Sequence, residues 1–484
     1  MGLLGILVGL GLLLGLSFRG WSVLMLAPGA ALVAALFSGE PLLAHWTQTF
    51  MSNAARFFAQ FFPIFMLGAL FGKLMDDSGS VTAISDYLTK KLGGHRAVLI
   101  VVLAGAAVTY GGVNLMVAVF VLAPMAQALF RAADIPLRLM PATIALGTST
   151  FTMSALPGTP AVQNAIPMPF FGTTPFAAPG IGIIAAGIMV GFGLWWLGRA
   201  EASARRRGEG YGDHQVVQPD AVADDQLVRD RATMAREFDT AELARGQLSE
   251  TSPPPFLAML PLIVVVAVNL LMAVFVLPRI DFSFLAEPAW GGTSFAAVGG
   301  TWSVMVALIA AIVTVMVVNH RRLGDLQATM DSGVNASVLP VVSVASLVGF
   351  GAVVAALPAF EVVRDWVLGI GGGPLVSLAV ATNVLSALTG SASGGMTIAL
   401  DSLASTYMRL AAEHGINPEL LHRVAVMGSG TLDSLPHNGA VVTLLAVCGC
   451  THGESYGPIV MVAIVGPILA LVAVILMGSA VGSF

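Results

Sequence analysis

The chain has 484 residues, 56% of them hydrophobic and only 10% charged, with a formal net charge of −5. A soluble domain carries about 25% charged residues, and apolar runs near 20 residues recur along the whole length. The composition excludes an ordinary globular protein and predicts an all-α polytopic membrane protein. Two cysteines, Cys448 and Cys450, without a histidine cluster at ligand spacing argue against a zinc or redox centre, so no metal or cofactor is expected.

In chain order, the first span is expected at about 2–18. It carries small residues at i, i+4 spacing (Gly5 and Gly9, Gly11 and Gly15). No basic residue precedes it, so it reads as a retained span rather than a signal peptide. Spans at about 21–37 and 57–75 follow, then a cationic amphipathic stretch at 78–92. Residues 97–130 are too long for one span and too short for two. TYGGVN (109–114) interrupts them, which predicts a re-entrant hairpin with its tip in mid-membrane. Residues 139–171 are over-long and broken at SALPGTP (154–160), as a discontinuous span would be, and a last span covers about 180–198.

Residues 199–255 are polar, rich in arginine and acids, and end in three prolines. This segment reads as a linker, with a surface helix allowed within 222–249. Beyond it, spans are expected at about 256–278, 298–319 and 335–357. A second hairpin at 374–408 has its tip at LTGSASGG (388–395). A second broken span covers about 423–450, interrupted at GTLDSLPHNGA (430–440), and the last span is about 458–480.

The two hydrophobic parts, 1–198 and 256–484, come into register at an offset of 279 residues. Phe71-Gly72 meets Phe350-Gly351, Gly111 meets Gly390, and Leu156-Pro157 meets Leu435-Pro436. Coinciding glycine and proline interruptions point to a repeated membrane unit of the kind secondary transporters use. Five spans per repeat, one of them discontinuous, force the second copy to be inverted. Of the 22 lysines and arginines, only Arg56, Arg279, Arg364, Arg409 and Arg423 fall outside when the hairpin feet and the linker are cytoplasmic. Both termini are then outside.

Irregular backbone at membrane depth is tolerated where it is buried in protein or lines a wet cavity. The four interruptions are therefore expected to converge on a substrate site near the midplane. The first tip supplies Thr109, Gly111, Gly112 and Asn114, and the first break Ser154, Gly158 and Thr159. The second tip supplies Thr389, Gly390, Ser391, Ser393 and Gly394, and the second break Thr431, Ser434 and Asn438. Glycines admit close approach of backbone to a ligand, and hydroxyls and amides bond a carboxylate and the hydroxyls of a small solute. In the competing reading the hydroxyls bond their own i−4 carbonyls and the glycines serve packing. No lysine or arginine lies within the breaks, which favours a small monoanion over a multiply charged one. Asp433, costing about 2.5–3.5 kcal/mol in mid-membrane, is the candidate proton carrier, against the reading that it only caps the half-helix expected to begin near Pro436-His437. His437 is read as its partner or a second carrier, with a structural hydrogen bond as the competing reading; at these positions the first repeat has Ser154 and Gly158.

The pairing of TGSASGGMTIALDSL (389–403) with GSGTLDSLPHNGAVVTLL (428–445) resembles the gluconate–proton symporters, the GntP-type permeases. GKLMDDSGS (72–80) and GGVNLMVAVFVLAPMAQALFRAADIP (111–136) are similar too. The LPHNG form resembles the broader permease group. The resemblance implies a member of the ion-transporter superfamily: a homodimer in the bacterial inner membrane that moves a hairpin-bearing part against a scaffold. It implies proton-coupled symport of a small hydroxy-monocarboxylate, such as a gluconate-like sugar acid or 3-hydroxybutyrate. The expected partners are thus a small organic anion, a proton and membrane lipid, with no nucleic acid and no enzymatic activity. The residues leave open a sodium-coupled carrier and a passive channel or exporter.

Overall fold

Helices that are apolar on every face need lipid on one side and protein on the other, and this chain has several. In Phe295–Val318, Val304, Ala307, Leu308, Ala311 and Val315 are fully buried, whereas Ile309, Val313 and Val317 on the opposite face are half exposed or more. A computed structural model describes residues 2–17, 21–93, 96–113, 115–212, 248–249, 251–436 and 438–484; the surface helix allowed within 222–249 falls almost wholly outside them. Among the described residues the fold is all helix, without strands.

The first half runs through α1 (Gly2–Ser17), α2 (Val23–Ser38), α3 (Leu42–Asp77), α4 (Ser80–Leu92), α5 (Ala97–Tyr110) and α6 (Leu115–Ala132). Four short helices follow: α7 (Met140–Thr148), α8 (Phe151–Ser154), α9 (Val162–Ala165) and α10 (Pro167–Phe171). The half closes with α11 (Pro179–Arg206). In the second half come α12 (Pro255–Arg279), α13 (Phe295–Val318), α14 (Leu326–Ala356), α15 (Phe360–Leu368), α16 (Pro374–Thr389) and α17 (Ala392–His414). Then come α18 (Pro418–Ser429), a 3₁₀ turn (Leu432–Ser434), α19 (Gly439–Val447) and α20 (His452–Val481).

Six of these are long and apolar enough to cross a membrane: α3, α11, α12, α13, α14 and α20. Several exceed the apolar runs that mark them in the sequence. α3 begins at Leu42 rather than near 57, through a π-helical stretch at His45–Phe50, and α14 begins at Leu326 rather than near 335. At 1.5 Å per residue α3 is about 54 Å long, well beyond a hydrocarbon core of about 30 Å. Hydropathy registers only the part of such a helix that is apolar.

Close helix contacts rest on small residues. A Cβ at Gly5 would lie 2.4 Å from the Phe37 Cβ, and one at Gly9 2.7 Å from the Ala30 carbonyl oxygen, so α1 and α2 meet nearly backbone to backbone. A Cβ at Gly395 would lie 2.3 Å from the Ser386 nitrogen, and this draws the facing arms α16 and α17 together. Among the described residues α3 and α14 form the most extensive helix contact, and each carries an internal proline, Pro63 and Pro340. α16 packs on both α17 and α18, and α5 on both α6 and α7. An apolar groove of about 500 Å³ opens between α1, α14, α15, α16 and α17.

Candidate functional site

Each tip is tied to the break of its own half. In the first half a turn at Gly111–Val113 separates α5 from α6. The Thr109 hydroxyl lies 3.2 Å from the Thr152 hydroxyl, and the Tyr110 hydroxyl donates to the Pro157 carbonyl at 2.8 Å. In the second half Gly390 turns the chain with φ 63° between α16 and α17. The Asn438 Nδ2 donates to the Gly390 carbonyl at 2.9 Å, and the Thr431 hydroxyl donates to Asn383 Oδ1.

Two adjoining cavities lie among these elements. The larger, about 120 Å³, is lined by Thr109, Gly112, Ser391 and Ser393 together with Ile64, Phe65 and Gly68 of α3 and Pro340, Ser343, Val344 and Leu347 of α14. The smaller, about 30 Å³, is lined by Asp433, Ser434 and Asn438 with Ser149. Leu115, Met153 and Gln163 line both. No lysine or arginine is among the residues lining either cavity.

Seven of the residues marked in the sequence thus meet at the cavities. The others sit differently. A Cβ at Gly111 would lie 2.1 Å from Leu262 Cδ2, so this glycine admits α12 rather than a ligand. Gly158, at φ 79°, is held through both its polar backbone groups: its N–H donates to the Pro175 carbonyl, and Asn269 Nδ2 donates to its carbonyl at 3.0 Å. Ser154 donates to the Thr150 carbonyl at 3.0 Å and Thr389 to the Leu385 carbonyl at 2.8 Å, each one helical turn back. Thr389 also faces the apolar groove. Thr159 Oγ1 accepts from the Ala161 N–H, and Thr431 is committed to Asn383 and the Gly428 carbonyl. A Cβ at Gly394 would meet Leu347 at 2.5 Å, and Gly390 contributes its carbonyl to Asn438. Asn114 and His437 lie outside the described residues.

The helix starts are partly self-capped. Ser391 Oγ accepts from the Gly394 N–H, and Asn438 Oδ1 from the Ala440 N–H at 2.6 Å. Asn438, rather than Asp433, caps the half-helix, which begins at Gly439 instead of near 436. Asp433 is left half buried in the 3₁₀ turn, accepting from Ser434 Oγ at 3.2 Å and facing the smaller cavity.

Three features escaped the sequence. Arg423 is not a solvent-facing charge. It is fully buried on α18, and its guanidinium donates to the Ser154 carbonyl at 3.2 Å and the Ala177 carbonyl at 2.6 Å. One turn earlier Glu419 Oε2 accepts the Ala178 N–H at 3.1 Å. Beside them, Asn164 Nδ2 donates to the Thr159 and Pro175 carbonyls, leaving its Oδ1 to accept from His422 Nε2 at 3.1 Å. His422 Nδ1 then accepts from the Thr173 hydroxyl at 2.6 Å. An arginine therefore does reach the first break, but it is spent on backbone carbonyls. The other two features are Ser343 and Gln163. Ser343 is 1% exposed with no partner for its hydroxyl, an arrangement costing about 1–3 kcal/mol where nothing else compensates. The signal for both was a polar residue facing an apolar one across the 279-residue offset.

Residues 1–191 match the pattern of the GntP family permeases. The transporter YxjC of Bacillus subtilis (strain 168) is 38% identical over 486 aligned residues, covering 98% of each chain. The chain belongs to the GntP permease family. This permease also shares its fold with two solved transporters. YdaH of Alcanivorax borkumensis superposes with a TM-score of 0.53 at 17% identity, over 90% of this chain and 89% of the other. MtrF of Neisseria gonorrhoeae, described as illuminating a class of antimetabolite efflux pumps, gives 0.51 at 15% identity, over 90% and 85%. At such identities the likeness concerns the fold.

Proposed function

We propose that this permease is a secondary active transporter that carries a small hydroxy-monocarboxylate together with a proton by alternating access. The observation that carries this reading is the pair of adjoining cavities. One is walled by neutral hydroxyls and glycine backbone, the other holds the carboxylate of Asp433, and Gln163 and Met153 stand between them. Neutral donors suit a monoanion, and a volume of about 120 Å³ is below the roughly 300–1,000 Å³ of sites for drug-sized ligands. A solute of a few carbons fits better than a six-carbon sugar acid such as gluconate. A membrane carboxylate beside the site supplies a group that can take up and release the coupling proton.

In the same reading, residues 1–198 and 256–484 are inverted repeats joined by a cytoplasmic linker, with both termini outside. Helices α5–α6 and α16–α17 are the two re-entrant hairpins. The functional unit is a homodimer in the bacterial cytoplasmic membrane, in contact with lipid. Support for the repeat comes from the larger cavity: Ile64, Phe65, Gly68 and Gly112 have Ser343, Val344, Leu347 and Ser391 as their counterparts at the 279-residue offset, and all eight line it.

The test is uptake of 3-hydroxybutyrate into liposomes reconstituted with purified permease. Accumulation driven by an inward proton gradient is expected. Accumulation that follows a sodium gradient at clamped pH would replace the proton by sodium, for which hydroxyl and carbonyl oxygens are suitable ligands. Non-saturating flux without counterflow would make the protein a channel.

A further inference from the structure

The larger cavity has two walls of matching position and unlike chemistry. On α3 it is lined by Ile64, Phe65, Gly68 and Ala69, and on α14 by Pro340, Ser343, Val344 and Leu347; Ile64, Phe65 and Gly68 correspond in position to Ser343, Val344 and Leu347. The one polar side chain in this set is Ser343. A serine in an apolar helix ordinarily spends its hydroxyl on a carbonyl of the preceding turn, as Ser337 does with Val334 on this same helix. Ser343 does not, and its buried Oγ is without a partner. Pro340, one turn before it and on the same wall, has no N–H to give the helix ladder.

A second mismatch lines the same cavity. Gln163 lines both cavities, and its counterpart in the other half is Val442. The Gln163 carboxamide makes no side-chain hydrogen bond among the described residues, whereas neighbouring Asn164 is fully used. An orphaned buried hydroxyl and a free carboxamide on one cavity are groups awaiting a partner. Each can both donate and accept, which is what recognition of an alcohol requires, since an alcohol also does both. A bare carboxylate needs only donors, and the Ser393 hydroxyl on the same cavity can supply one.

We propose that Ser343, with Gln163, reads the hydroxyl group of the transported solute, making the pair specificity-determining residues of the carrier. This rests on the carboxylate-carrier reading above. Ser343 is buried on α14, the helix that packs most closely on α3, so its selectivity is built into the part of the wall that the four interruptions do not form. A site that hydrogen-bonds a substrate hydroxyl rejects the analogue lacking it, because its own polar groups are then left unpaired.

The experiment compares 3-hydroxybutyrate with butyrate, as counterflow kcat/KM in proteoliposomes and as ligand-induced thermal stabilisation of the purified permease. Wild type is expected to favour the hydroxy acid. Ser343→Ala is expected to lower that preference about tenfold, mostly through KM for 3-hydroxybutyrate, and Ser343→Thr to restore most of it. Gln163→Val, which copies the other half, is expected to act in the same direction. Because Ser343→Ala removes an unsatisfied hydroxyl, the melting temperature without ligand is expected to hold or rise, which keeps the variant measurable. If Ser343→Ala and Gln163→Val both keep the wild-type preference, the assignment is wrong while the carrier reading stands. If wild type neither binds nor exchanges either acid, the carrier reading fails and the assignment falls with it.

Discussion

Asn438 Nδ2 donates to the carbonyl of Gly390 at 2.9 Å, joining the break before α19 to the turn between α16 and α17. The same side chain caps α19 through the Ala440 N–H. Replacing Asn438 by alanine removes both bonds, one a helix cap worth about 1 kcal/mol and one a partly buried bond of similar size. Asn438→Ala is expected to lower the melting temperature in detergent and to raise KM severalfold, since the turn it steadies carries Ser391 and Ser393. An unchanged KM alongside a lowered melting temperature would reduce the bond to a stability role.

Arg423 invites a sharper contrast. Arg423→Met leaves the Ser154 and Ala177 carbonyls without their donors and Glu419 without its nearby cation. Each orphaned buried acceptor costs about 1–3 kcal/mol, so the yield of folded protein by fluorescence-detected size exclusion is expected to collapse. Arg423→Lys keeps the charge but lacks the forked geometry that spans two carbonyls, and is expected to fall between. Wild-type behaviour of the methionine variant would mean the two contacts contribute nothing.

Asp433→Asn tests the coupling. The amide keeps the size and the contact with Ser434 but cannot give up a proton. The expected outcome is preserved counterflow exchange with loss of accumulation against a gradient. Retained proton-driven accumulation would move the coupling site elsewhere.

A fourth prediction concerns pH and a pair outside the spans. Arg138, just before α7, pairs with Glu209, just after α11, with Arg138 Nη2 donating at 3.0 Å. That hydrogen bond holds the Glu209 carboxyl below its ordinary range. A carboxylate with a depressed folded-state pKa stabilises fully above its unfolded pKa of about 4.3 and loses that contribution as pH falls through the folded value. Glu209→Gln is therefore expected to lower the melting temperature at pH 7, with the gap from wild type closing toward pH 4 and below. A gap independent of pH would attribute the effect to packing.

The long apolar helices were legible because hydropathy is carried by each residue singly, and the interruptions because glycine and proline break helices wherever they stand. What the interruptions do with their side chains was less so. Gly111 and Gly112 are neighbours of one type, yet the first admits Leu262 and the second lines the cavity. Nothing in the local sequence tells which helix will arrive. The burial of Arg423 was not legible because its acceptors are backbone carbonyls more than 200 positions away. Ser343 looked like any serine in a membrane helix, since a hydroxyl bonded to its own turn and one left open share the same letter. Comparing the halves position by position would have flagged it, as it flagged Asp433.

The Ala177 carbonyl and the Ala178 N–H belong to a single peptide group. Arg423 takes one end and Glu419 the other, from adjacent turns of α18, at a residue whose φ is 44°. A peptide clamped at both poles by opposite charges cannot flip or slide past the helix that holds it. The start of α11 is thereby riveted to α18, and through its packing so is α20. If the proposed alternating access moves one part of the permease against another, the boundary between them is expected to pass around this rivet, leaving α11, α18 and α20 on the same side.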